Sequence, residues 1–81
     1  MTEADAQLDV SGYLCPLPVL KAAKQLKTMA PGSVLRLIAT DPAATIDVAH
    51  FCSEQGHGLL SSTTEGGRLI FLIRKKRSSD A

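Results

Sequence analysis

Five consecutive apolar residues, Leu69-Ile70-Phe71-Leu72-Ile73, stand between Arg68 and Arg74 and closely follow Glu65-Gly66-Gly67. In an extended strand, alternate side chains point to opposite faces. Leu69, Phe71 and Ile73 then line one face, and Ile70 and Leu72 the other. A strand apolar on both faces belongs inside a sheet, with a partner on each side. The glycines before it predict one partner: Leu59 to Thr64 reads as a strand, joined to Arg68 to Arg74 by a hairpin at Glu65-Gly66-Gly67. The residues before Leu59 must supply the other partner and whatever covers the sheet.

They carry two kinds of periodicity. Gln7 to Val10 is a short strand with Leu8 and Val10 on one face. Val34 to Ala39 is another, with Leu35 and Leu37 on one face and Val34 and Ile38 on the other. Arg36 joins the second set, which marks that face as partly exposed. Between them, from about Pro16 to Met29, Val19, Ala22, Ala23, Leu26 and Met29 recur at helical spacing. Lys21, Lys24, Gln25, Lys27 and Thr28 cover the opposite side. Pro31-Gly32 is the expected stop. Asp41-Pro42 opens a second helical segment, with Asp41 as N-cap and Pro42 at the first position. Its first turn, around Ala43 to Asp47, is expected to be irregular. Its stripe is Ala44, Val48, Phe51 and Cys52, and Gly56 ends it.

The order β-α-β-α-β-β predicts an α/β two-layer sandwich, with two helices on one face of a four-stranded mixed sheet. One domain is expected over 1–81, with its core from about residue 7 to 75 and frayed ends, because 81 residues cannot bury a second core. Hydrophobic residues make up 44% and charged residues 21%, the balance of a globule rather than a disordered chain. Tyr13, Phe51 and Phe71 are the only aromatics, so the core rests on Leu, Ile, Val and Ala.

The net charge of +1 selects no partner in bulk. Arg74-Lys75-Lys76-Arg77 reads as a solvated strand end and tail, with a docking patch for an acidic partner, or for RNA, as the alternatives. Met1 to Gln7 is polar and acidic, unlike a signal peptide. No apolar run approaches the ~20 residues needed to cross a bilayer. The expectation is a cytoplasmic protein without membrane contact. With two cysteines, Cys15 and Cys52, the chain does not resemble a secreted disulfide scaffold, and an exposed thiol would stay free in a reducing compartment.

Cys15 is the candidate site. It precedes Pro16, and a proline at the first helical position would place it at or near the N-cap. There the positive end of the helix dipole favours thiolate, the reactive form. Pro16 and Pro18 lack N–H groups, so the dipole must carry that effect, while both prolines stiffen the turn. The alternative is a small buried residue at a strand-to-helix joint. Cys52, on an apolar stripe, reads as a core residue. The other role open to it is a resolving thiol for Cys15, which no Cys-x-x-Cys motif supports. His50, Cys52 and His57 fall on different faces and lack the doubled spacing of a zinc site, so no metal is expected. Asp41 and Asp47 read as cap and helix-surface residues rather than a catalytic pair. No phosphate loop or Ser-His-Asp order is present, and no cofactor is expected.

Leu8-Asp9, Gly12 and Cys15-Pro16-Leu17-Pro18-Val19 resemble the TusA (SirA-like) family of small sulfur carriers. The likeness continues through Pro31-Gly32, Thr40-Asp41-Pro42, Asp47-Val48, Phe51-Cys52, Gly56-His57 and Ile73-Arg74-Lys75. It implies the same two-layer sandwich. It also implies that Cys15 bears a persulfide, with Pro16, Pro18 and Gly12 in support. A cysteine desulfurase or rhodanese-type protein would load the sulfur, and a DsrE-like or other acceptor would receive it. The implied destinations are tRNA thiolation, molybdenum cofactor assembly and sulfur oxidation.

This chain departs from the tRNA-thiolation members at Leu14 and Leu17, where those members carry Arg and Glu. The Asp-Ile-Pro of many members is here Asp47-Val48-Ala49. An apolar rim suits a different docking surface. Leu14, Leu17, Lys21 and Lys24 are the candidate docking residues, with the Arg74 to Arg77 cluster beside them. The chain is expected to act as a monomeric sulfurtransferase-type carrier with no general base of its own, rather than a self-contained enzyme. The rival reading is a regulatory or interaction module without sulfur chemistry. Direct nucleic-acid binding is not expected, because no basic stripe interleaves with the three aromatics.

Overall fold

The computed structural model describes residues 4–76. Its elements are β1 (Ala6–Asp9), α1 (Leu17–Lys27), β2 (Val34–Ala39), α2 (Ala44–Gln55), β3 (Gly58–Glu65) and β4 (Arg68–Arg74). The sheet order is β1-β2-β4-β3. β1 pairs parallel with β2, and β4 pairs antiparallel with β2 and with β3. The apolar run of β4 thus sits inside the sheet, as its two-sided pattern requires. Gly66 and Gly67, both at positive φ (54° and 81°), close the β3–β4 hairpin in the conformation that glycine adopts without strain.

One face of the sheet is covered. Leu35, Leu37 and Ala39 of β2 and Phe71 and Ile73 of β4 pack with Ala22 and Leu26 of α1 and with Ala44, Val48 and Cys52 of α2. This is the helix layer and the single core cluster of the described residues. Phe71 is the largest of its fully buried side chains. Val34, Ile38 and Ile70 belong to the other face and are buried there, while Arg36 among them remains partly exposed. The mixed sheet with two helices on one side is the expected architecture.

Both helix starts differ from the expected positions. Pro16 is the N-cap of α1 and Pro18 its second helical residue, so Cys15 lies one residue outside the helix. Pro31-Gly32 does not end α1, which stops at Lys27; it forms the turn into β2, with Gly32 at φ +85°. Thr28 closes α1, donating its hydroxyl to the Gln25 carbonyl at 2.8 Å, and the Lys75 ammonium reaches the Leu26 carbonyl. Such a cation satisfies an orphan carbonyl and complements the negative helix end. Lys75 is therefore partly a cap rather than a freely solvated charge. Arg77, the last of the basic cluster, lies outside the described residues.

α2 begins at Ala44 rather than beside Asp41-Pro42. The Asp41 side chain folds a turn of its own, accepting from the Ala43 N–H at 3.1 Å. Asp41 to Ala43 is that turn, whereas Ala44 to Asp47, where an irregular first turn was expected, is regular α-helix. Gly56 ends α2 in the left-handed conformation at φ +79°, the expected stop. His57 then ties the end of β4 to this corner, its Nδ1 accepting from the Lys76 N–H at 3.0 Å.

Candidate functional site

Because β1 and β2 are parallel, the loops leaving them emerge at the same end of the sheet and lead into the N-termini of the two helices. Asp9 starts the first loop by accepting from the Ser11 N–H at 2.9 Å. Hydrogen bonds from Ser11 hold the Asp9 carboxyl below its usual range. Gly12 follows at φ +84°, a turn that favours glycine. Two bonds then lace this loop to the one after β2. The Gly12 N–H donates to Thr40 Oγ1 at 2.8 Å, and the Cys15 N–H donates to Asp41 Oδ2 at 2.6 Å. Gly12, Cys15, Thr40 and Asp41, all singled out in the sequence, are brought into one constellation.

Cys15 is exposed, and its thiol is free. The expected thiolate is not what the site favours. The thiol gives a hydrogen bond to the Asp47 carboxylate, which is the main reason its pKa is raised; partial loss of hydration and the negative charges of Asp47 and Asp41 add to the effect. The helix start has little to oppose them with. The Leu17 N–H is already taken by the Leu14 carbonyl at 2.9 Å, and Pro16 and Pro18 have none. The two carboxylates outweigh a helix start that lacks the N–H groups of Pro16 and Pro18 and has the Leu17 N–H engaged, and the Cys15 pKa moves up rather than down.

Asp47, in the first turn of α2, was read from the sequence as a helix-surface residue. It stands on the Cys15 side of the helix. A recess of about 230 Å³ opens beside the thiol, and Pro16, Val19, Asp47, His50, Phe51 and Glu54 are among the residues that line it with Cys15. His50 Nε2 pairs with Glu54 at 2.7 Å.

Around the thiol, Leu14 is 70% exposed, Leu17 43% and Leu20 57%. The rim is apolar, as Leu14 and Leu17 suggested; Leu20 extends it along α1. Lys24 is exposed, whereas the Lys21 ammonium lies 4.6 Å from the centroid of the Tyr13 ring, a cation–π contact that holds it near the loop. A second groove of about 430 Å³ runs between the helices from Val19 and Phe51 to Lys75 and Lys76.

The remaining cysteine and histidines have other work. Cys52 is buried in the core, and desolvation pushes its pKa to about 11. His57 packs against Phe51, with ring centroids 5.4 Å apart. Among the described residues no group of three His, Cys, Asp or Glu side chains is arranged to hold a metal, and no helix is long and apolar enough to cross a membrane.

The family model described as "Sulfurtransferase TusA" matches residues 6–75. The chain belongs to the TusA family. It is similar to the sulfur carrier protein TusA of Allochromatium vinosum, with 47% identity over 75 residues, covering 93% of this chain and 99% of the relative. It is also similar to the sulfur carrier protein TusA of Pseudomonas entomophila, with 44% identity over 72 residues, covering 89% and 90%. The SirA-like protein of Desulfitobacterium hafniense has the same fold, with a TM-score of 0.78 at 19% identity, covering 89% of this chain and 99% of that one. Membership in the TusA family supports a sulfur-carrier role, and with it contact with a protein that gives sulfur and one that takes it.

Proposed function

We propose that the chain carries sulfur as a persulfide on Cys15. The observation that supports this most is the state of that residue: an exposed free thiol on the family's Cys-Pro-x-Pro element, anchored through its own N–H to Asp41 and ringed by exposed leucines. The main chain is fixed while the sulfur stays accessible, which suits a group handed between two protein partners.

In the loading step, Cys15 Sγ attacks the outer sulfur of a donor persulfide. A new S–S bond forms on Cys15, the donor's S–S bond breaks, and the donor leaves as a thiol. Unloading repeats the exchange with an acceptor cysteine as nucleophile. No net oxidation occurs in either step. The donor is a cysteine desulfurase or rhodanese-type protein and the acceptor a DsrE-like or similar protein, with tRNA thiolation, cofactor assembly or sulfur oxidation as the destination. Gly12, Pro16 and Pro18 support the loop, and Leu14, Leu17, Lys21 and Lys24 meet the partners. The protein works as a cytoplasmic monomer.

Incubation with a cysteine desulfurase and cysteine should add the mass of one sulfur atom to the Cys15 peptide. Cys15→Ser should gain none. A Cys15→Ser protein that loads as well as the parent overturns the proposal.

A further inference from the structure

The geometry points to Asp47 as the proton acceptor for Cys15 during sulfur transfer, a role that rests on the reading of Cys15 as the carrier. The sequence offers no obvious base near the cysteine. The fold supplies one by placing the first turn of α2 beside the loop that leads into α1.

Three observations converge on Asp47. Its carboxylate is the main influence that keeps the proton on the Cys15 sulfur. It shares with Cys15 the recess into which a donor's sulfur would have to reach. Asp41, the other nearby carboxylate, already holds the Cys15 and Ala43 amides. A group that must take a proton has to lie near it, and Asp47 lines the same recess as the thiol. The remaining titratable groups facing the recess are His50 and Glu54 on α2, which are paired with each other. The parts of the recess contributed by Pro16 and Val19 bring no charge.

The arrangement has two consequences. With no donor docked, the proton stays on sulfur, and the thiol is protected from alkylation and chance disulfide exchange, both of which require thiolate. When a donor persulfide enters, Asp47 takes the Cys15 proton as the new S–S bond forms. It gives that proton to the departing donor thiolate as the old S–S bond breaks. The sulfur transferred keeps its oxidation state, and the proton lost by Cys15 ends on the donor thiol. A thiolate derived from a less acidic thiol is also the stronger nucleophile once formed.

The test compares the parent with Asp47→Asn and Asp47→Glu in two assays, with circular dichroism to confirm folding. The first is iodoacetamide alkylation of Cys15 as a function of pH. Asp47→Asn should shift the profile to lower pH and speed alkylation at neutral pH, because the anionic acceptor is gone. The second is sulfur loading from a cysteine desulfurase. Asp47→Asn should slow it, by of the order of a hundredfold for a lost general base, although its cysteine is the more readily ionised of the two. Its loading should also become steeply dependent on rising pH, and Asp47→Glu should recover part of the rate. Faster alkylation with slower loading is a combination that simple loosening of the site does not produce. An unchanged alkylation profile, an unchanged loading rate, or loss of loading in His50→Gln but not in Asp47→Asn would each overturn the role of Asp47. If the parent acquires no sulfur on Cys15, it is the carrier reading that fails, and the role of Asp47 with it.

Discussion

Asp41 holds the two halves of the site together: Oδ2 accepts from the Cys15 N–H at 2.6 Å while Oδ1 accepts from the Ala43 N–H at 3.1 Å. One side chain thus fixes the cysteine loop and the turn before α2 at the same time. An Ala at this position leaves both amides without their acceptor. Asp41→Ala should lower stability by about 1–2 kcal/mol, read as a lower denaturant midpoint with an unchanged slope. Hydrogen exchange at the Cys15 amide should accelerate in the same variant. Asp41→Asn, which keeps one acceptor oxygen, should fall between.

The two thiols should separate cleanly by reactivity. Cys52 is 2% exposed with its pKa pushed to about 11, so at neutral pH it is neither ionised nor reachable. Peptide mapping after brief alkylation should find label on Cys15 and none on Cys52 until denaturant is added. Cys52→Ser puts a hydroxyl among Ala44, Val48 and their apolar neighbours in the core. Burying it without a partner should cost about 1–3 kcal/mol. Sulfur loading per folded molecule should be unchanged.

The parts of this molecule set by local pattern were legible in the sequence. The five-residue apolar run of β4, the Gly66-Gly67 turn and the stripes of α1 and α2 each follow from side-chain periodicity and backbone sterics. What was not legible depends on contacts between segments distant in sequence. The start of α2 shifts to Ala44 because Asp41 turns its oxygens to the amides of Cys15 and Ala43. The thiolate expected of Cys15 from its place before a helix gives way to a thiol because α2 brings Asp47 alongside it. In the sequence, Asp47 is a polar residue near a helix start, which is ordinary on a helix surface; nothing local marks the face that meets Cys15. Leu14 and Leu17, by contrast, stood out in the sequence because the family resemblance sets them where tRNA-thiolation members carry Arg and Glu, and both side chains are exposed beside the thiol.

His57 should make stability fall on mild acidification. Burial, and then the nearby Lys76 and Lys75 charges, depress its pKa below the usual 6.5. The unfolded chain therefore takes up a proton at a higher pH than the folded protein does. Where the unfolded state binds more protons, stability rises with pH. This contribution is complete above the unfolded value of 6.5, and declines as pH falls from there to the lower folded value. Protonation in the folded protein also removes the Nδ1 lone pair that accepts the Lys76 N–H. Denaturant midpoints measured from about pH 8 to pH 5 should show this decline in the parent. In His57→Gln the component due to this residue should be absent.

Leu14 and Leu17 should matter to partners and not to the fold. Leu14 stands largely in water and Leu17 is about half covered, so truncating them removes little of the core packing, and changes at such surface positions typically alter stability by about 0.5 kcal/mol. Docking is different, because a partner that reaches Cys15 must cover them. Burying a leucine side chain contributes roughly 1.5–3 kcal/mol when it is fully removed from water, and less at an interface that also orders side chains. Leu14→Ala with Leu17→Ala should therefore raise KM for a protein donor about tenfold or more while leaving kcat nearly unchanged. Sulfur transfer from a small-molecule persulfide, which needs no such contact, should proceed at the parental rate. Loss of transfer from both kinds of donor would instead place the leucines in the support of Cys15 itself. The two donors, compared on one protein, separate docking from chemistry.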